Sequence, residues 1–151
     1  MRIMMVSGSF GGPTRPSGGE ALHVYTLSQA LIKRGHTIAA LTKRSSHPPM
    51  PFPGSESIFS VRAPFPPVLT KLFQIDPAAY IATLRVLRSW RPDVIHLHWN
   101  PLSLAPIAAG ASLRIPVVAT CHSYRFVCLR HQLCFNEDGS CQRRYERAIC
   151  A

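Results

Sequence analysis

Acidic residues are scarce in this sequence. Its 151 residues hold 7 Asp and Glu against 17 Lys and Arg, a formal net charge of +10. A surplus of that size favours anionic partners: phosphate-bearing ligands, nucleic acid or an acidic membrane surface. The cations are scattered, with no Lys/Arg run longer than two, and no helix-turn-helix, RRM or OB pattern appears. A dedicated nucleic-acid arm would be more concentrated, so no nucleic-acid partner is expected. Long hydrophobic runs are missing too. No stretch approaches the ~20 apolar residues of a membrane span, and the opening "MRIMMVSGSF" has too short an apolar run for a secretory signal. The chain therefore reads as cytoplasmic, with its 5 cysteines reduced. Closely spaced cysteine pairs are absent as well. Cys128, Cys134, Cys141 and Cys150 are separated by five, six and eight residues, whereas zinc sites usually carry C-x-x-C pairs. Plain thiols are the default there, and a structural metal stays open. Finally, the sequence has no G-x-G-x-x-G before a helix, no P-loop and no internal repeat, which disfavours a conventional dinucleotide site.

What is present alternates strand and helix. "RIMMV" (Arg2–Val6) is a continuous apolar run, as expected of a strand buried on both faces. The Gly/Ser/Pro-rich "SGSFGGPTRPSGG" that follows must be loop. A helix begins near Glu20, with Val24, Leu27 and Leu31 on one face and Ala21, Tyr25 and Ile32 widening it. Gly35 is placed as its left-handed stop. "HTIAALT" gives a strand over Thr37–Thr42, completing a βαβ unit with a parallel sheet. The proline-rich stretch Ser45–Pro67 is mostly irregular, with a weaker strand at Ser57–Arg62. In "IDPAAYIATLRVLRSW", Asp76 is a candidate N-cap ahead of Pro77, and Tyr80, Ile81, Leu84 and Leu87 form the expected buried stripe. Strands at Val94–His98 and Val117–Cys121 flank a helix within Pro101–Leu113, and Cys121 reads as core. The expected fold is an α/β, Rossmann-like, doubly wound parallel sheet. From Tyr124 to Ala151 the pattern breaks, with a helix beginning near Gln142.

In a parallel sheet the loops after strand C-termini form the binding edge. Three stand out: Ser7–Gly19, His98–Asn100 and His122–Tyr124. Gly18 and Gly19 sit at a helix start, where free backbone N–H groups attract phosphate and glycine allows close approach. They fit a simple tight turn equally well. His96 and His98 share a face of their strand, but no third metal ligand is evident, so ordinary hydrogen-bonded histidines are expected. His122 ends a strand at the binding edge.

These stretches also carry a family resemblance. "GGEALHVYTLSQALIKRGHTIAALT" resembles the Gly-Gly, His-Val, Leu, Ala-Leu, Arg-Gly-His signature of family 4 glycosyltransferases of the GT-B fold. "RPDVIHLHW" is similar to their Pro-Asp-Val-(Ile/Val)-His-x-His strand, "IPVVATCHSY" to their Ile-Pro-Val-Val-x-Thr-x-His-Asp-Tyr, and "VCLRHQLCFNEDGSC" to a Cys-bearing stretch that follows. The resemblance implies a retaining transfer from a nucleotide-sugar donor to a glycan or lipid-linked acceptor, without metal or other cofactor. It implies that Gly18 and Gly19, with Arg15, approach the donor diphosphate. His122 would lie near the transferred sugar as the catalytic candidate. His98, Asn100, Ser123 and Tyr124 fall to the acceptor or to supporting contacts. The charge adds peripheral contact with an anionic membrane as a partner. Two positions depart from the family pattern: the acid follows the glycine pair immediately, as Glu20, and Ser123 stands where His-Asp-Tyr has aspartate. The alternative reading is a free-standing α/β module that binds a phosphorylated ligand without catalysis.

The same resemblance implies that residues 1–151 form the N-terminal, acceptor-side domain and that a C-terminal donor-binding domain is missing. The 151-residue chain by itself is therefore expected to transfer no sugar. Robust turnover of any nucleotide-sugar by this chain alone, in a product assay, would overturn that expectation.

Overall fold

The computed structural model describes residues 1–8, 10, 18–44, 53–64, 66, 75–98, 104–122, 134–136 and 139–140. The chain divides into two units, Met1–Thr120 and Cys121–Ala151. The first contains β1 (Arg2–Val6), α1 (Gly19–Lys33), β2 (Thr37–Lys43), β3 (Ser57–Val61), α2 (Pro77–Trp90), β4 (Val94–Leu97), α3 (Ala105–Ser112) and β5 (Val117–Ala119). Its five strands form one sheet in the order β3-β2-β1-β4-β5, and every neighbouring pair is parallel. The described part of the second unit includes an antiparallel pair, β6 (Cys134–Asn136) with β7 (Gly139–Ser140).

Alternation along the central strands sends side chains to opposite faces. Met4 and Val6 of β1, with Ala39 and Leu41 of β2, pack beneath α2 and α3 in a cluster that includes Leu87, Trp90, Ala105 and Ala109. Ile3 and Met5, with Ile38 and Ala40, face the other way against Val24, Leu27 and Leu31 of α1. Both faces are thus covered, which is why these strands read as unbroken apolar runs rather than alternating ones. The expected doubly wound α/β sheet is present.

Local chemistry sets the ends of the helices. Asp76 accepts hydrogen bonds from the N–H groups of Ala78 (2.9 Å) and Ala79 (3.1 Å), with Pro77 opening the first turn. Gly35 takes φ +80° after α1, and its N–H reaches the Ile32 carbonyl at 2.9 Å, closing the left-handed stop. At the N-terminal edge of the sheet, the Trp90 indole N–H donates to Glu56 (2.8 Å), whose carboxylate also meets Arg2 at 3.7 Å. The Arg2 guanidinium stacks 4.6 Å over the Trp90 ring, and the Arg2 amide donates to Asp93 at 2.7 Å.

Three expectations need correction. Ile81 is not in the buried stripe of α2 but 49% exposed; Leu87 is buried as expected, with Tyr80 and Leu84 packed against the core, and Ala79, Thr83 and Trp90 are buried beside it. The small side chains at 79 and 83 let the helix approach the sheet along that line, and this rotates Ile81 outward. Cys121 is exposed rather than core, because β5 ends at Ala119, where its ladder with β4 (Ile95–Leu97) runs out. Likewise β4 stops at Leu97, leaving His98 just past the strand.

α3 sits directly on β4 and β5. A methyl group added at Gly110 would lie 2.9 Å from both Ile95 Cδ1 and Val117 Cγ2. Val117 is β-branched and stiff, so Gly110→Val is expected to destabilise the domain by about 1–3 kcal/mol. Urea unfolding checks this, and an unchanged midpoint would show that the helix lifts away freely.

Candidate functional site

The strand order reverses between β1 and β4: the chain winds outward from β1 through β2 to β3, then returns to β4 on the other side. Open α/β sheets bind ligands at such a switch point, outside the strand C-termini. Here the two central strands end side by side. Val6 pairs with Leu97, the His98 amide donates to the Val6 carbonyl at 2.8 Å, and Ser7 and His98 are both buried, at 0% and 2% exposure.

The start of α1 faces the same edge through a direct bond. The Ser7 hydroxyl donates to Glu20 Oε1 at 2.7 Å, tying the end of β1 to the first turn of α1. Gly18 is the N-cap, with φ 104° and ψ 170°, and among the described residues no side chain caps the helix. The positive φ is a physical reason for glycine at 18. For Gly19 the described residues give no such reason: its φ is ordinary, and none of them lies within 4 Å of where a Cβ would stand. The N–H groups of the first helical turn have no carbonyl partner within the helix, and the helix dipole adds partial positive charge there. The arrangement is an open helix start suited to an anion.

Beside it stands a column of imidazoles. His98 packs against His96, with ring centroids 4.3 Å apart and planes at 33°. On its other side it meets His23 of α1 at 5.6 Å and 59°. His96 Nε2 hydrogen-bonds the Thr120 hydroxyl at 2.8 Å, beside the end of β5, as expected for an ordinary edge histidine. His23 is exposed and His98 buried, so the column runs from solvent into the sheet edge. Such rings can donate or accept hydrogen bonds to hydroxyl groups of a ligand.

Of the residues singled out from the sequence, Gly18, Gly19 and His98 gather at this edge of the first unit. His122 belongs to the second unit and is exposed. Arg15, Asn100, Ser123 and Tyr124 lie outside the described residues, as do Cys128, Cys141, Cys150 and the helix expected near Gln142. The sequence reading missed His23, the Ser7–Glu20 bond and Thr120. A signal for His23 existed: it follows Gly19 by four residues, one helical turn, and forms part of the His-Val element quoted above.

Comparison with known proteins bears on the family and the fold. The family model "Glycosyltransferase Family 4" matches residues 17–150. Glycogen synthase of Mycobacterium tuberculosis is 30% identical over 141 residues, covering 82% of this chain and 34% of that protein. The chain thus spans about a third of this relative's length. Among solved structures, sucrose-phosphate synthase of Thermosynechococcus elongatus superposes with a TM-score of 0.56 at 19% identity, over 82% of this chain and 35% of that one. MurG of Acinetobacter baumannii gives 0.55 at 15% identity, over 81% and 35%. These superpositions agree in fold: a parallel Rossmann-like sheet with its helices. With the family signature running through the glycine pair, the His-x-His strand and the stretch beyond β5, the chain belongs to glycosyltransferase family 4.

Proposed function

We propose that this chain is the acceptor-side domain of a retaining glycosyltransferase that moves a sugar from a nucleotide-sugar donor to a glycan or lipid-linked acceptor. One observation carries the reading. Gly19 opens α1 with ordinary backbone angles, and no described residue lies within 4 Å of its Cβ position. In a helix interior glycine costs roughly 0.5–1 kcal/mol relative to alanine, and less at a first helical position such as this; among the described residues neither turn geometry nor packing calls for it. A ligand that must approach the backbone closely does account for it. The donor diphosphate is such a ligand. As the sugar leaves, negative charge grows on the diphosphate, and backbone N–H groups fixed at a helix start stabilise it without reorganising.

The remaining roles follow the same frame. Arg15 would add a cation to the donor phosphates. His122 would hydrogen-bond the transferred sugar, or help neutralise the phosphate when protonated. His98, Asn100, Ser123 and Tyr124 would serve the acceptor or support those contacts. We add His23, whose exposed ring stands one turn from the glycine pair. Relatives named glycogen synthase support a glycan as the acceptor class. No helix among the described residues is long and apolar enough to cross a membrane. We assign the protein to the cytoplasm, with peripheral contact at an anionic membrane surface as a further partner.

Two substitutions in the complete natural protein test this reading. Gly19→Ala meets open space and favours the helix, so the melting temperature is expected to hold or rise slightly. If the diphosphate approaches this backbone, KM for the nucleotide-sugar rises about tenfold or more; an unchanged KM would remove Gly19 from the donor site. His122→Ala, at an exposed position, is expected to lower kcat/KM by about 10- to 1,000-fold with melting nearly unchanged. A variant that melts several degrees lower yet turns over normally would strike His122 from the site.

A further inference from the structure

The acidic residues of Met1–Thr120 are Glu20, Glu56, Asp76 and Asp93, and each is held in a bond that builds the fold. Glu20 accepts from Ser7, Glu56 from Trp90, Asp76 from the first turn of α2, and Asp93 from the Arg2 amide. The outward helix surfaces are left to the cations. α2 is the clearest case. Its sequence PAAYIATLRVLRSW contains no acid. Ile81, Arg85 and Arg88 are spaced i, i+4 and i+7, so they share one face, and all three are exposed. Among the described residues, neither Arg85 nor Arg88 forms an ion pair; Arg2 pairs with Glu56. Ile81 stands 49% exposed in line with the two arginines.

We propose that this face of α2 docks on an anionic lipid bilayer. Charge complementarity supplies the attraction: basic side chains near an anionic leaflet each contribute favourably, within about a Debye length. Ile81 distinguishes a bilayer from a dissolved polyanion. An exposed isoleucine adds nothing to binding a phosphodiester chain, whereas at the boundary of headgroups and acyl chains it buries apolar area. Arginine stems can lie along that boundary while the guanidinium groups stay with lipid phosphates. The inference rests on the membrane-contact part of the function proposed above and is independent of the glycosyl-transfer chemistry.

Vesicle co-sedimentation of the complete natural protein tests it. Vesicles with about one-third phosphatidylglycerol are compared with pure phosphatidylcholine, at about 0.1 M and about 0.5 M salt. Binding is expected to require the anionic lipid and to weaken at high salt. Arg85→Ala/Arg88→Ala is expected to lower the partition constant about 30-fold, and Ile81→Ser to lower it further with the arginines intact. Both changes lie on an exposed helix face, and circular dichroism checks that the fold persists. Lys33→Ala/Arg34→Ala removes the same charge from the end of α1, on the opposite face of the sheet, and is expected to change binding severalfold less. Absence of wild-type binding would overturn both the membrane contact and this face. Wild-type binding that α2 and α1 variants weaken equally would overturn the face alone. Equal loss of binding to single-stranded RNA in the α2 variants, with Ile81→Ser silent, would make the stripe a general polyanion site and overturn the bilayer assignment.

Discussion

β1 is hydrogen-bonded along both edges and covered on both faces. Its five residues pair in parallel with β2 on one side, and Ile3–Val6 pair with β4 on the other, while Met4 and Met5 reach opposite cores with no exposed surface. The other elements of the first unit are positioned by what this strand demands. Parallel pairing needs crossovers, and the crossovers supply the helices that bury both faces. With helices on both faces, the sheet must reverse its order somewhere, and it does so between β1 and β4. The site is a consequence: the two strands that share the reversal end together, and Ser7 and His98 emerge side by side.

From that point the arrangement at the edge follows from short-range bonds. Ser7 holds Glu20, and thereby keeps the open start of α1 against the strand end. α1 in turn carries His23 to the buried His98. The carboxylate of Glu20 would oppose an anion if it swung toward the uncapped N–H groups, and the 2.7 Å bond to Ser7 gives it another partner. The proposed anion site at this helix start is therefore compatible with an acid in its first turn. The same economy extends to the other acids of the first unit. Each is committed to a cap or an edge contact, and the surplus of cations is left on the outward surface, most plainly along α2.

Much of the fold was legible because periodicity and capping are local. The unbroken apolar runs of β1 and β2, the Asp76–Pro77 helix start and the Gly35 stop each depend on a few adjacent residues. The glycine pair was visible as either turn or binding loop, and the two glycines separate physically: Gly18 answers to a positive φ, Gly19 to neither φ nor packing among the described residues. The rotation of α2 was not legible. Of the apolar stripe Tyr80, Ile81, Leu84 and Leu87, Leu87 is buried and Tyr80 and Leu84 pack against the core, but Ile81 turns outward, because Ala79 and Thr83 take the line of closest approach to the sheet, where small side chains are rewarded over large ones. Cys121 failed for a related reason: an apolar stretch continues a strand only while its neighbour offers a ladder.

The sequence by itself determined the element types, the parallel α/β class and the family, since each rests on patterns carried by contiguous residues. It also determined the charge imbalance. Only the tertiary structure decided which residues meet. His23 and His98 are 75 positions apart and come together because α1 starts, and β4 ends, at the strand reversal. Whether Ile81 faces the core or the solvent was settled by the packing distance between α2 and the sheet, and pairwise packing of that kind leaves no mark on the periodicity of one helix.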